Sequence, residues 1–315
     1  MSAQPARILI TGCNGQVGFE LRRALAPLGT ITAVDVGDCD LGDEAAVRRT
    51  VREVAPQIIV NPAAYTAVDR AESEPELAQA INARAPQIFA EEAARTGALM
   101  VQYSTDYVFD GSSSGFQRES DQPNPINAYG RSKLAGERAV AASGAAFLTL
   151  RTSWVIGAHG ANFAKTILRL AAQRDRLQVV ADQWGAPTSA ALVADVSAQL
   201  LGRYLRALGE AGAAGRGSAG PSDFRFGLYH LAAGGETNWH ELAQTVVRTA
   251  QAAGRDLRLA PEAIEAITTA QYPAAARRGP NSRLDTSALR STFGLVLPDW
   301  RVGIAQVLAQ ILEAA

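Results

Sequence analysis

The sequence predicts an α/β protein: a parallel sheet wound on both faces by helices, followed by a smaller second domain. Three observations predict it. Apolar strand-like runs alternate with helical patterns through the first half of the chain. The strand-like runs are continuously apolar, as in Ile58-Ile59-Val60, which implies burial on both faces. Beyond Leu150 the alternation loosens, as a change of domain requires.

In chain order, residues 7–10 read as a strand, 18–28 as a helix, 31–34 as a strand and 44–55 as a helix. Residues 58–61 form the next strand, 75–96 a long helix and 99–103 a further strand. The Gly/Ala/Ser-rich stretch 209–222 reads as a flexible surface loop before a strand at 227–231. A helix is expected over 239–253, then an Ala/Pro/Arg-rich segment over 270–281 and a final helix over 302–313, after Pro298. No internal repeat of fixed period is present.

The 315 residues carry a formal net charge of −1 and contain no long block of like charge. That balance excludes an electrostatic footprint for nucleic acid or an anionic membrane, so an acidic ligand needs a local site. Cys13 and Cys39 make no disulfide framework and fit a reducing compartment. Residues 1–6 lack the regions of a signal peptide and no apolar run is long enough to span a bilayer, so a cytoplasmic protein is expected.

Two motifs carry chemistry. The first follows the opening strand: Thr11-Gly12-Cys13-Asn14-Gly15-Gln16-Val17-Gly18 has the spacing G-x-x-G-x-x-G and runs into a helical pattern. Glycines there permit a tight turn and let backbone amides approach a pyrophosphate at a helix N-terminus. Asp35 ends the second strand about 20 residues on, where a carboxylate accepts hydrogen bonds from ribose hydroxyls. Asp40 and Leu41 follow, a carboxylate and an apolar side chain suited to an adenine amino group and ring, or simply to a turn. The fold class is therefore Rossmann-type, with NADH or NADPH as the expected cofactor.

The second motif is Tyr129-Gly130-Arg131-Ser132-Lys133. The chain has only two lysines, Lys133 and Lys165, against 28 arginines, so a lysine at position 133 asks for an ammonium specifically. Four residues apart on a helix, the phenol and the ammonium share one face. A tyrosine of ordinary pKa about 10 is then expected to be lowered by the neighbouring positive charge. Ser104-Thr105-Asp106-Tyr107 lies immediately after the strand 99–103, at the carboxyl end where such sheets bind ligands.

These residues resemble the extended short-chain dehydrogenase/reductase superfamily. Ten ordered segments extend the likeness: TGCNGQVG, NPAAYTAVDRAESEP, YSTDYVFDG, YGRSKLAGE, RTSWV, NFAKTILRLA, DQWGAPTSA, GLYHL, ARRGPNSRL and LVLPDW. Together they resemble the dTDP-4-dehydrorhamnose reductase family from Arg7 to about Leu312. The resemblance implies NAD(P)H-dependent reduction of the C4 ketone of dTDP-4-dehydro-6-deoxy-L-mannose to dTDP-L-rhamnose, without a metal in the chemistry. It implies that Tyr129 is the proton donor, that Lys133 holds the nicotinamide ribose, and that Ser104 and Thr105 tune the phenol. Gly12, Gly15, Gln16, Val17 and Gly18 would cradle the diphosphate, with Asp35, Asp40 and Leu41 at the adenosine end. Ala64, Tyr65, Thr66 and Tyr103 would complete the cofactor contacts. Thr66, Val68, Thr105, Asp106 and Trp154 would frame the deoxysugar, while Lys165, Arg278, Asn281 and Arg283 would bind the nucleotide end. The implied division is 1–153 plus about 189–233 for the cofactor, and about 154–188 plus 234–315 for the nucleotide sugar.

The sequence departs from the family in two respects, of which the first is Pro62, which stands where alanine is usual near the cofactor, and the second is the metal site. Some members join two subunits around a magnesium held by glutamates, and of the three positions only Glu20 matches, the others being Ala191 and Gln310. A carboxylate cage for a hard cation therefore lacks two ligands. His159, His230 and His240 show no metal-ligand spacing. A monomer or weak homodimer without that metal bridge is expected. The competing readings are another nucleotide-sugar ketoreductase or epimerase, and a non-catalytic NADP-binding regulatory subunit. An intact Thr105, Tyr129 and Lys133 argue against the last.

Overall fold

Six strands, all parallel, form the central sheet. Across the sheet they run Gly29–Ala33, Ala6–Ile10, Ile58–Asn61, Leu99–Thr105, Phe147–Thr152 and Gly227–His230. The chain leaves Ala6–Ile10 for the neighbour on one side and later returns to the neighbour on its other side, so a crevice opens at the carboxyl end of this strand. Ligands of doubly wound sheets bind at such a point. The computed structural model describes residues 5–213 and 224–313.

Side-chain alternation along buried strands explains the two layers of helices. Ile8, Ile10, Val60, Val101 and Leu150 face one side, where they pack on Leu21 and Leu25 of the helix Gln16–Leu25 and on Val193, Leu200 and Leu201 of the helix Ala190–Ala213. Leu9, Ile59 and Met100 face the other, against Val47 and Val51 of Glu44–Val54, Ile88 and Phe89 of Ala85–Thr96, and Val140 of Ala128–Ala142. A separate core gathers Trp154, Ile167, Val179, Leu242, Val246 and Ile304 between the helices Phe163–Gln173, Trp239–Ala252 and Trp300–Glu313. Beside it a parallel pair, Leu177–Val180 with Ile264–Ile267, forms a second small sheet. Leu289 and Phe293 return the chain to the central core.

Asparagine starts several of these helices. Asn127 accepts from Gly130 N at 2.7 Å, Asn162 from Lys165 N at 3.1 Å and Asn238 from Glu241 N at 2.9 Å. Each satisfies an amide that the first helical turn leaves free.

The structure corrects several boundaries. The first helix begins at Gln16 rather than 18, and the fourth sheet strand continues to Thr105, so Ser104 and Thr105 belong to the strand. The expected helix 75–96 is interrupted by a π turn at Ala80–Arg84. There Asn82 turns inward and bonds both the amide and the carbonyl of Tyr65 at 2.8 and 3.0 Å, an interaction that apolar periodicity does not reveal. Residues 209–213 continue a helix instead of starting the expected loop, and 214–222 lie outside the described residues. The strand pair Leu177–Val180 and Ile264–Ile267 was not legible, because short apolar runs beyond Leu150 carry no clear period.

Candidate active site

The glycine-rich turn closes over the end of strand Ala6–Ile10. Gly12 adopts φ +55, and a Cβ there would stand 2.9 Å from Ala63 Cα. A Cβ on Gly18 would stand 2.0 Å from the Gly12 carbonyl oxygen, so the helix seats directly on the turn. Gly15 is the helix N-cap and has no side chain to bond the first-turn amides, which leaves them for an anionic ligand.

A cleft of about 700 Å³ opens there, lined by Gly12, Gly15, Val17, Gly18, Asp35, Asp40 and Leu41 at one end. Asp35 already accepts from Asn14 N and Val36 N, both at 2.8 Å, and so ties the turn to the end of the second strand. Asp40 bonds Gly42 N at 2.8 Å. The Gln16 side chain does something the sequence did not suggest: its Oε1 accepts from Gly157 N at 2.7 Å and Asn162 Nδ2 at 3.0 Å, joining the turn to the start of the helix Phe163–Gln173. Ala64, Thr66 and Val68 line the cleft. Tyr65 does not; its hydroxyl bonds Glu74 and its ring packs with Ala71, Ala78 and Ala128.

At the other end the cleft reaches Tyr103, Ser104, Thr105, Asp106, Tyr129, Lys133 and Trp154. Lys133 is 4% exposed and donates from Nζ to the Tyr103 carbonyl at 2.6 Å. Tyr103 contributes that carbonyl, since its hydroxyl is held by Ser197 at 2.6 Å. Burial pushes the Lys133 ammonium down to about 8, opposed by the Glu137 carboxylate. The Tyr129 phenol is pushed up, first by burial and then by Asp106, with a hydrogen bond to Thr105 pulling the other way. This reverses the lowering expected from the sequence. The reason is physical: the phenol is buried beside a carboxylate, and Lys133 directs its ammonium at a backbone carbonyl.

Thr105 Oγ1 accepts from Tyr107 N at 3.1 Å and donates to Asp106 Oδ1 at 3.2 Å. Burial pushes Asp106 up to about 6, against hydrogen bonds from Ser282 and Thr105. Ser104 has a different place. Its hydroxyl is buried without a partner, as are those of Thr152 and Ser153, and all three residues line the cleft. Buried orphan hydroxyls at a cavity wall are groups that a polar ligand satisfies. Thr152 and Ser153 escaped the sequence reading because a Thr-Ser pair after a strand resembles any loop.

A larger cleft of about 1230 Å³ lies beside the second core, lined by Phe163, Trp239, Arg174, Arg176, Arg278 and Tyr107 among others. Tyr107 lines both clefts, and its ring stands edge-on to that of Tyr129 at 5.6 Å. Trp154, at φ +48, lines the smaller cleft and stacks at 3.7 Å on Trp239, which lines the larger.

Of the four residues expected at the nucleotide end, the structure brings Arg278 to the larger cleft, paired with Asp69 at 2.8 Å. Asn281 instead donates to the Ser113 and Gly115 carbonyls at 2.7 Å, and Arg283 pairs with Glu236 at 2.8 Å and donates to Ser114 O at 2.7 Å. These two fasten the loop 113–115, and Arg283 and Lys165 line neither large cleft. Arg174 and Arg176 were missed because nothing distinguishes them in sequence from the other arginines.

Among the described residues no group of three metal-ligating side chains is present. Glu20 faces Arg23 at 3.3 Å, and Arg23 also bonds Asp195 at 2.9 Å. No described helix is long and apolar enough to cross a membrane.

Comparison with known proteins follows the same outline. The family model described as RmlD substrate binding domain matches residues 6–313. The dTDP-4-dehydrorhamnose reductase of Escherichia coli K12 is 46% identical over 308 residues, covering 96% of this chain and 97% of the relative. That of Burkholderia thailandensis is 44% identical over 307 residues, covering 98% and 99%. The crystal structure of dTDP-4-dehydrorhamnose reductase from Bacillus anthracis in complex with NADP superposes with a TM-score of 0.82 at 33% identity, covering 98% of this chain and all of that one.

Proposed function

The chain belongs to the dTDP-4-dehydrorhamnose reductase family, and from that membership we propose that it reduces the C4 ketone of dTDP-4-dehydro-6-deoxy-L-mannose to give dTDP-L-rhamnose. The observation that carries the reading is the pair of clefts that share Tyr107 as a wall, its ring edge-on to Tyr129, with a hydrogen bond from Thr105 acting on the Tyr129 phenol and Lys133 one helical turn behind. NADPH or NADH fits the smaller cleft: the uncapped helix N-terminus suits a diphosphate, Asp35 suits ribose hydroxyls, and the unpartnered hydroxyls of Ser104, Thr152 and Ser153 suit a carboxamide. When bound, a reduced nicotinamide supplies the hydride.

Within this reading, Tyr129 gives its proton to the C4 oxygen, and the Thr105 hydroxyl turns from Asp106 to donate to the same oxygen. Lys133 steadies the phenolate that results, and binds the nicotinamide ribose. The raised phenol keeps its proton until charge develops on the ketone oxygen, which suits a donor. Asp106, Thr66, Val68 and Trp154 frame the deoxysugar. Arg278, Arg174 and Arg176 provide charge for the nucleotide diphosphate, anchoring the substrate so that the carbonyl is held in place.

Loss of nicotinamide absorbance with the 4-keto sugar nucleotide tests the proposal. Consumption is expected with either cofactor, and its absence with both would sink the reading. The pH dependence has a definite sign. The Lys133 ammonium is present below its pKa, so turnover is expected to fall as pH rises through about 8. A rate flat from neutral pH to 9.5, roughly a unit and a half above that value, would detach Lys133 from the reaction.

For assembly we propose a monomer or weak homodimer without a magnesium bridge, supported by Ala191 and Gln310 where carboxylates would be needed and by Glu20 facing Arg23. Sedimentation is expected to be the same with and without EDTA. A dimer that dissociates on chelation would contradict it.

A further inference from the structure

The helix Ala128–Ala142 carries a third buried polar side chain one turn beyond Lys133. Glu137 is 5% exposed, and the i, i+4 spacing puts it on the same helix face as Lys133. From the strand Phe147–Thr152, Arg151 reaches it with two donors, Nε at 2.8 Å and Nη2 at 2.7 Å, one on each carboxylate oxygen. Arg151 is 3% exposed, and the Phe109 ring covers its guanidinium at 4.9 Å. His230 completes the group, its Nε2 3.4 Å from Arg151 Nη1. Burial and Arg151 push His230 down to about 3, so it is neutral there, and among the described residues Glu137 is the anion bonded to Arg151. Glu137, Arg151 and His230 line neither large cleft.

A fully buried ion pair is weak evidence for stability, since desolvation offsets much of the attraction. Its position suggests another use. Lys133 is buried and its Nζ meets a neutral acceptor, the Tyr103 carbonyl, which bonds the ammonium but supplies no charge. The other charged and titratable groups on elements packed around it are Tyr129, Arg131 and Arg138 on its own helix, Tyr103 on the strand, Asp106 and Tyr107 on the turn, Asp69 and Arg70 on the helix Val68–Ala71, Glu76 on the helix Pro75–Gln79, Arg84 on the π turn, Glu91, Glu92 and Arg95 on Ala85–Thr96, and Arg151 on Phe147–Thr152. Across the cleft stand Asp35 and Asp40. Burial acts first on Lys133 and disfavours its charge, and the Glu137 carboxylate opposes it, favouring the ammonium.

We infer that Glu137 is a positioning residue for Lys133: gripped by Arg151, it supplies from one helical turn away the negative charge that holds the buried ammonium in its protonated form. This rests on the reading of Lys133 as the cation of a reductase site. Glu137 touches neither cleft and acts through Lys133 alone. Arg151 fixes the carboxylate in place, and His230 and Phe109 shield the pair from water.

The composition of the chain allows a direct test, because Lys133 and Lys165 are its only lysines. Protein labelled with carbon-13 at lysine Cε gives two side-chain resonances, and the one lost in Lys165→Arg identifies the other as Lys133. Titrated without substrate or cofactor, Lys133 in Glu137→Gln is expected to lose its proton about one pH unit lower or more, the scale of a nearby opposite charge. Glu137→Asp is expected to restore most of that shift. Because Glu137→Gln leaves Arg151 buried with a neutral partner and risks misfolding, the double variant Glu137→Leu with Arg151→Met serves as the second case; loss of the Arg151 charge, which disfavours a neighbouring ammonium, offsets part of the effect, so a smaller fall in the same direction is expected there. An unchanged Lys133 midpoint in either folded variant would overturn the inference. The resonance reports Lys133 without turnover, so failure of the ketoreductase assay leaves this result standing, and failure here leaves the assay standing.

Discussion

Replacing Tyr129 with phenylalanine is expected to lower turnover about 10²-fold or more, the scale of losing a general acid, with cofactor affinity retained. The substitution removes one hydroxyl. The ring keeps its edge contact with Tyr107 at 5.6 Å and its place in the small cluster with Ala71, Ala78 and Ala128, so the fold has no reason to change. Thr105 remains to bond the ketone oxygen, but its single proton is shared with Asp106. Hydride arrival would then create a charged oxygen without the phenol that protonates it. Turnover is followed by nicotinamide absorbance, and affinity by fluorescence titration of the cofactor. Near-normal turnover in a folded variant would remove Tyr129 as the donor and leave Asp106 as the remaining buried acid within hydrogen-bond reach of Thr105.

The central sheet and the glycine-rich turn were legible because they rest on local signals. Continuous apolar runs such as 58–60 have few alternatives to a buried parallel strand. Gly12 and Gly18 occupy positions where backbone sterics admit little else. Tyr129 and Lys133 were legible because helical spacing places them together. What resisted reading depends on partners distant in sequence. Asn82 is informative only because it meets Tyr65 and, at 3.0 Å, Ser132, and no pattern within its own segment announces either. Asn281 and Arg283 looked like ligand forks, yet the fold had already committed them to the loop 113–115. Arg174 and Arg176 show the converse, ordinary surface arginines in sequence that the packing of two short strands brings to a cavity wall. The direction of the Tyr129 shift was misjudged for the same reason. Spacing gives the distance to Lys133 but not the desolvation, nor the carboxylate that the end of strand Leu99–Thr105 brings alongside.

Lys133→Arg is expected to lower turnover about as severely as loss of the phenol, roughly 10²-fold, although the charge is conserved. The site is built for a compact head group: Nζ sits in a buried pocket, 2.6 Å from one carbonyl oxygen, with Glu137 a helical turn away. A guanidinium is planar and wider, carries its charge further from the backbone, and brings five donors where one protein acceptor waits. Accommodating it displaces the group from the ribose and the phenol together, and a displacement of about 1 Å suffices for a loss of this size. Lys165→Arg provides the control within the same chain. Lys165 is half-buried, makes no side-chain hydrogen bond among the described residues and lines neither large cleft, so its replacement is expected to leave turnover within about twofold and to affect at most the Michaelis constant for the substrate. Steady-state kinetics on the two variants, at a pH below 8 where Lys133 carries its proton, compare them directly. Equal and small effects would mean that the scarcity of lysine in this chain carries no chemical meaning. A severe loss at position 133 alone would locate the requirement in the shape and reach of an ammonium, since charge is common to both side chains.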